Sequence, residues 1–247
     1  MSKKTLAAKP KNRFHRGARR WLWISALCLL QVILSHFAFA PDRIYVLGWL
    51  MPLPLFFLAD RLTLRDRILA GLLTGLFSCI VAFHWVIYLM KEFGGIPYFL
   101  GVFIFIPYSL LLNLKLPLFL ALAGSLRRPA LRFLPRWITL PLLAVLCDYL
   151  TPQIFPWYWG NLVAADPFLS QWAEVGGVYL LTFFVFLGSY AIYRAILLLY
   201  RRRSSWKRLP ALARRPILLA RTSLFIVFYF FIYIIGFLRY SFIEELQ

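Results

Sequence analysis

The chain has 247 residues, 62% of them hydrophobic and only 15% charged, with a net charge of +19. A soluble domain carries roughly 45–50% apolar residues, and one of this length has too little interior to hide the excess. The basic residues fall in blocks between hydrophobic runs, which is the pattern of a multi-pass membrane protein and not of a basic face that reads nucleic acid.

Residues 1–20 form a basic tail with eight Lys or Arg and no acid, and residues 21–39 are the first predicted span. A cleaved signal peptide is the competing reading, with Ala38-Phe39-Ala40 as its small-residue site. The apolar run is long for that role and Pro41 would follow the cut, so a retained helix is expected. After a turn at Pro41-Asp42-Arg43, residues 44–59 make a second span. Pro52 and Pro54 leave it kinked or shallow.

A charged turn at 60–67 leads to a third span at 68–90. The turn Lys91-Glu92-Phe93-Gly94-Gly95-Ile96-Pro97 uses paired glycines for close approach and positive φ. A fourth span at 98–123 is interrupted by Pro107 and Pro117. The fifth span, 137–150, is short and runs into a polar, Pro-broken segment at 151–174. That segment holds the densest aromatic cluster of the chain, Phe155, Trp157, Tyr158 and Trp159. A sixth span at 175–200, a basic loop, a seventh span at 217–238 and a short tail at 239–247 complete the chain.

The N-terminal tail and the loops at 60–67, 124–136 and 201–215 hold 22 Lys or Arg, against three in the alternate segments. By the positive-inside rule the N-terminus is cytoplasmic and the C-terminus lies outside, with the aromatic loop on the outer face. The fold class is therefore an all-α integral membrane bundle of about seven helices at residues 21–238. The alternating pattern of a membrane β-barrel is absent.

Ionisable groups inside a bilayer are functional candidates by default. Here they are His36, His84, Lys115 and Asp148, with Asn113 as a polar companion. His36 and Asp148 are expected near the outer helix ends, where water can solvate them, and Lys115 is expected to snorkel. Cys28, Cys79 and Cys147 all fall in apolar runs and show neither C-x-x-C nor metal-ligand spacing. No metal or cofactor is implied. The aromatics fit an interfacial belt, but Pro156 and the following Gly160-Asn161 also suit a loop shaped to hold acyl chains.

Three blocks occur in order: Phe37-Ala38-Phe39-Ala40-Pro41; Phe83-His84-Trp85-Val86 with Phe93-Gly94-Gly95-Ile96-Pro97; and Phe155-Pro156-Trp157 with Gly177-Val178-Tyr179. Together they resemble the membrane domain of apolipoprotein N-acyltransferase over about residues 20–240. The resemblance implies a helix bundle in the bacterial inner membrane that acts with a periplasmic nitrilase-like domain. In that domain a Glu–Lys–Cys triad moves a phospholipid acyl chain, through a thioester, to the N-terminal cysteine of a lipoprotein.

The sequence departs from the family at Asp148-Tyr149-Leu150-Thr151-Pro152, where the family reads Glu followed by Leu-Arg-Gly. It is also expected to lack the nitrilase-like domain, and no triad residue is carried over. The substrate-binding residues implied are Phe155, Pro156, Trp157, Trp85, Gly94 and Gly95, with phospholipid, lipoprotein and a separate nitrilase-like chain as partners. Two other readings are a membrane protein that binds lipid or lipoprotein without transfer, and a transporter. Against the transporter stand the lack of an inverted repeat and of paired intramembrane charges.

Overall fold

The computed structural model describes residues 13–39, 44–126, 134–152, 157–205 and 215–245. Every regular element among them is helical. Residues 1–12 of the basic tail, the Pro41 turn, Phe155, Pro156 and residues 127–133 and 206–214 of the basic loops lie outside the described residues.

The first helix, α1, runs Arg13–Phe39. A 3₁₀ turn at Tyr45–Trp49 precedes α2 at Pro52–Arg61, where Pro52 occupies the first turn. Proline is tolerated there because that N–H has no intrahelical partner. The predicted second span is thus a 3₁₀ turn followed by a helix of ten residues, about 15 Å long. Its Leu55, Phe56, Leu58 and Ala59 are buried in the core.

The third predicted span is α3 at Leu64–Ala82 and α4 at Trp85–Glu92, bent by 62° at their junction. At the bend the Trp85 indole N–H donates to the Ala82 carbonyl at 3.0 Å, so a backbone acceptor freed by the break is satisfied by a side chain. The fourth span is likewise two helices, α5 at Tyr98–Leu112 and α6 at Lys115–Ser125. Pro117 explains this break: it lacks the N–H that would reach residue 113, and its ring crowds that carbonyl. The Asn113 amide fills the gap by donating to the Ser109 carbonyl (3.3 Å), the Gly75 carbonyl (3.4 Å) and the Cys79 sulfur (3.1 Å).

Helix α7 covers Arg136–Leu150, and the outer segment carries a 3₁₀ turn at Trp159–Val163 and the single-turn α8 at Pro167–Ser170. Helix α9 spans Ala173–Ser205 with non-helical backbone at Gly176 and Gly177, where φ of Gly177 is +63°. Helix α10 runs Arg215–Glu245. Among the described residues three helical stretches, Gly17–Phe39, Tyr98–Ser125 and Ala173–Leu198, are long and apolar enough to cross a membrane, and the bent α3–α4 pair adds a fourth if it counts as one broken span.

The packing of α3 on α6 sets the core. Gly71 and Gly75 lie one turn apart on the face of α3 that meets Pro117 and Asn113, a small-xxx-small contact that lets two backbones touch. A Cβ at Gly71 would collide with the backbone of Pro117, and one at Gly75 would sit 2.8 Å from the Asn113 Cβ. The two ends of the bundle differ. At one end Arg20 pairs with Asp66, and Asp60 accepts from Arg136 (3.0 Å) and from the Tyr193 hydroxyl (2.7 Å). At the other end Trp157 packs on Phe39 and Phe83, at the C-terminal ends of α1 and α3, and the Trp159 N–H donates to Asp148 at the end of α7.

Gly71→Ala is expected to destabilise the protein by about 1–3 kcal/mol through overpacking against Pro117, read as a lower thermal midpoint in detergent. Gly17→Ala, whose Cβ meets nothing within 4 Å, is expected to keep or slightly raise the midpoint, since alanine is the better helix former.

Candidate functional site

The site is built around two charges buried where α6 begins and α7 ends. The Lys115 ammonium donates to Asp148 Oδ1 at 2.9 Å, and both side chains are fully buried. Lys115 also donates to the Trp157 backbone carbonyl and lies 5.0 Å from the centre of the Trp159 ring. The other oxygen of Asp148 accepts from the Trp159 N–H (3.0 Å) and the Thr182 hydroxyl (2.9 Å), while the Thr182 oxygen accepts from the Gly160 N–H (2.8 Å). Four separate parts of the chain, α6, α7, the 157–160 segment and α9, meet in this one network.

Each charge alone is badly placed. A lysine in the first turn of a helix opposes the macrodipole, and so does an aspartate in the last turn. Either one unpaired in an apolar interior costs several kcal/mol. Together they cancel, and the remaining hydrogen-bonding capacity goes to the backbone of Trp157 and Trp159. The expectations that Lys115 snorkels and that Asp148 is solvated at a helix end are both overturned: Lys115 is 0% exposed and Asp148 1%. They also supply the paired buried charge whose apparent absence had counted against a transporter.

The network presses the 157–160 segment into the bundle. Gly160 is required there, since a Cβ would strike the Val178 carbonyl of α9. Trp159 is buried against Phe119 (ring centroids 5.7 Å apart) and Phe186 (4.8 Å). Trp157 is held edge-on between Phe39 (4.4 Å) and Phe83 (5.6 Å). A cleft of about 640 Å³ opens beside it, walled by His36, Phe39, Phe83, Trp85, Trp157 and Asn161 among others. That size is within the 300–1,000 Å³ range of small-molecule sites, and its walls combine the four aromatic side chains with alanines.

Of the sequence-predicted site residues, Trp157 and Trp85 are brought together on this cleft. Phe155 and Pro156 lie outside the described residues. Gly94 and Gly95 close α4: the N–H groups of Gly94 and Ile96 both donate to the Met90 carbonyl at 3.1 Å, and Gly95 takes φ +61°. They are a helix cap and do not line the cleft. His36 stands on the cleft wall, while His84 is exposed at the α3–α4 bend. Cys28, Cys79 and Cys147 are buried in the core, and none lines the cleft. Sequence reasoning singled out Lys115 and Asp148 separately but missed that they pair. It also missed Thr182, Phe39 and Phe83 as parts of the site.

Removing one partner of the pair leaves the other charge buried alone. Lys115→Met and Asp148→Asn are each expected to cost about 3–5 kcal/mol in thermal or denaturant unfolding. The double variant Lys115→Met/Asp148→Leu is expected to recover most of that loss. Single variants with unchanged stability would contradict the network's role.

A sequence model of the family described as "Apolipoprotein N-acyltransferase N-terminal domain" matches residues 32–191, which include α2 to α7, Lys115, Asp148 and the whole cleft wall. Apolipoprotein N-acyltransferase 2 of Leptospira interrogans serovar Lai is 33% identical over 184 residues, covering 72% of this chain and 30% of the relative. Apolipoprotein N-acyltransferase 1 of the same organism is 31% identical over 129 residues, covering 52% of this chain and 22% of the relative. Apolipoprotein N-acyltransferase of Vibrio cholerae is 29% identical over 159 residues, covering 61% and 30%. The chain therefore spans about a third or less of the length of these curated relatives. With the aromatic cleft inside the matched region, the chain belongs to the apolipoprotein N-acyltransferase N-terminal domain family.

Proposed function

We propose that this chain is the membrane part of an apolipoprotein N-acyltransferase-like system, and that its cleft holds the acyl chain of a phospholipid donor. The observation that carries this reading is the convergence of Trp85, Trp157, Phe39 and Phe83 on one apolar cleft at the end of the bundle away from Arg20 and Arg136. The strong bias of Lys and Arg between alternate loops supports seven passes, a cytoplasmic N-terminus, a periplasmic C-terminus and a place in the bacterial inner membrane. The cleft then faces the periplasm. Phe155, Pro156, Trp157 and Trp85 frame the lipid entrance, and the Gly94-Gly95 turn fixes the end of the wall that bears Trp85.

A nitrilase-like domain, on the same polypeptide or a separate one, supplies the Glu–Lys–Cys chemistry. Its thiolate attacks the phospholipid ester carbonyl, forming a thioester and releasing a monoacyl lipid with a new hydroxyl, which takes the thiol's proton. The lipoprotein α-amino group then attacks the thioester, forms the amide and returns the thiol. The present chain contributes binding and orientation, and a large share of a rate enhancement can come from positioning alone. Because its three cysteines are buried, binding of lipid or lipoprotein without transfer is the second reading.

The test is complementation in cells depleted of lipoprotein N-acyltransferase, with the lipoprotein N-terminus read by mass spectrometry. The chain is expressed alone and with a nitrilase-like domain. N-acylation is expected only with that domain, and Trp157→Ala is expected to lower it by about tenfold or more. N-acylation by the chain alone would overturn the division of labour, and none with any nitrilase-like domain would favour the binding reading.

A further inference from the structure

The Lys115–Asp148 network fixes residues 157–160, but the cleft wall runs on through Asn161, Ala164 and Ala165. The next residue, Asp166, does not line the cleft and is 1% exposed. Its Oδ1 accepts from the N–H groups of Phe168 (3.0 Å) and Leu169 (3.1 Å), which caps α8. Its Oδ2 accepts from the Tyr233 hydroxyl of α10 at 2.5 Å. Short backbone bonds tie Asp166 to the wall. Its N–H donates to the Val163 carbonyl (3.0 Å), and the Ala164 N–H donates to the Asn161 carbonyl (3.2 Å).

Helix α10 grips the outer segment at further points. A Cβ at Gly236 would strike the Phe168 carbonyl, so glycine there lets α8 lie directly on α10. The Phe168 ring packs edge-on against Phe237 (5.5 Å) and Tyr240 (5.9 Å). The Trp172 indole N–H donates to the Ile232 carbonyl at 3.0 Å, and Arg239 pairs with Glu174. Of these contacts, the Tyr233 bond is the one that reaches a residue adjoining the cleft wall. A buried carboxylate oxygen is costly to leave without its donor, so loss of that hydroxyl forces Asp166 to shift.

We propose that Tyr233 is a positioning residue for the lipid site: its hydroxyl, through Asp166, holds the 161–165 wall of the cleft against the acyl chain. This rests on the reading of the cleft as a lipid site and extends it to α10, no described residue of which lines the cleft. The stance of α10 thereby sets how closely the cleft fits its ligand. Tyr229 supplies the contrast. On the same helix, its hydroxyl donates at 2.5 Å to the Phe184 carbonyl, a contact made to α9 and not to the outer segment.

The full chain is placed in nanodiscs with a phosphatidylethanolamine that carries a diazirine near the end of one acyl chain. After irradiation, adducts are located and counted by mass spectrometry. In the unaltered protein they are expected on both sides of the cleft, at residues 161–165 and at 36–39 with 82–85. Tyr233→Phe keeps the ring and its packing on Phe168. It is expected to lower the yield at 161–165 about fivefold relative to 36–39 and 82–85. Gly236→Ala, which pushes α8 off the same helix with the hydroxyl intact, is expected to shift the ratio in the same direction. Tyr229→Phe is expected to keep the ratio. A purely structural role would lower the thermal midpoint of both tyrosine variants and leave the ratio as it is. An unchanged ratio in Tyr233→Phe therefore overturns the proposal, as does an equal fall in Tyr229→Phe. Absence of adducts from all three stretches in the unaltered protein would instead overturn the reading of the cleft as a lipid site, and the proposal with it.

Discussion

The buried contact between Lys115 and Asp148 is the constraint on which the rest of this structure depends. It joins the first turn of α6 to the last turn of α7, and both side chains are wholly removed from solvent. An apolar interior tolerates such charges only as a satisfied set. The set is completed by the Trp157 carbonyl, the Trp159 N–H and the Thr182 hydroxyl. The outcome is a loop segment that cannot leave the bundle without stranding two charges. A buried pair is weak evidence for stability as such, since a well-packed apolar substitute is often as stable. What it does here is fix one arrangement of the 157–160 segment, and with it the position of the Trp157 ring.

Two helix breaks prepare the place that ring fills. Pro117, in the first turn of α6, breaks the fourth span so that α5 ends at Leu112 and α6 starts at Lys115, whose side chain is buried in the core. The bend between α3 and α4 buries Phe83 against Trp157 and leaves Trp85 exposed beside it, and the Trp85 indole satisfies the carbonyl that the bend exposes. Irregular backbone at membrane depth is tolerated where protein or a water-lined space covers it. Here both breaks border the site. The Gly71–Gly75 face allows α3 to approach α6 closely enough for these pieces to meet.

Much of this was legible in the chain and some was not, for separable reasons. Hydrophobic length places spans at 21–39, 98–123 and 175–200, and the structure has apolar helical stretches at 17–39, 98–125 and 173–198, because that signal is local. At residues 44–59 the same signal does not resolve the local structure, where a 3₁₀ turn leads into a short helix that starts at Pro52 in place of one kinked helix. The Lys115–Asp148 pair was out of reach because 33 residues separate its members and only the packing of α6 on α7 brings them together. The Gly71-x-x-x-Gly75 spacing is visible in the sequence, but the α6 residues it meets, Pro117 and Asn113, are set only by the packing. Trp157 and Trp85 were singled out through family resemblance and do share the cleft. Gly94 and Gly95 were singled out in the same way, and their glycine character reflects a cap at the end of α4.

The central claim, that lipid chains enter between Trp85 and Trp157, is tested most directly by photocrosslinking. A phospholipid with a diazirine near the end of one acyl chain would be bound to the protein in nanodiscs, irradiated, and the labelled peptides mapped by mass spectrometry. The account predicts adducts concentrated at residues 36–39, 82–85 and 157–165, with the Trp157→Ala variant losing them. Adducts confined to the exposed apolar face of α10, around Phe230, Phe231 and Phe237, with none at the cleft, would contradict it.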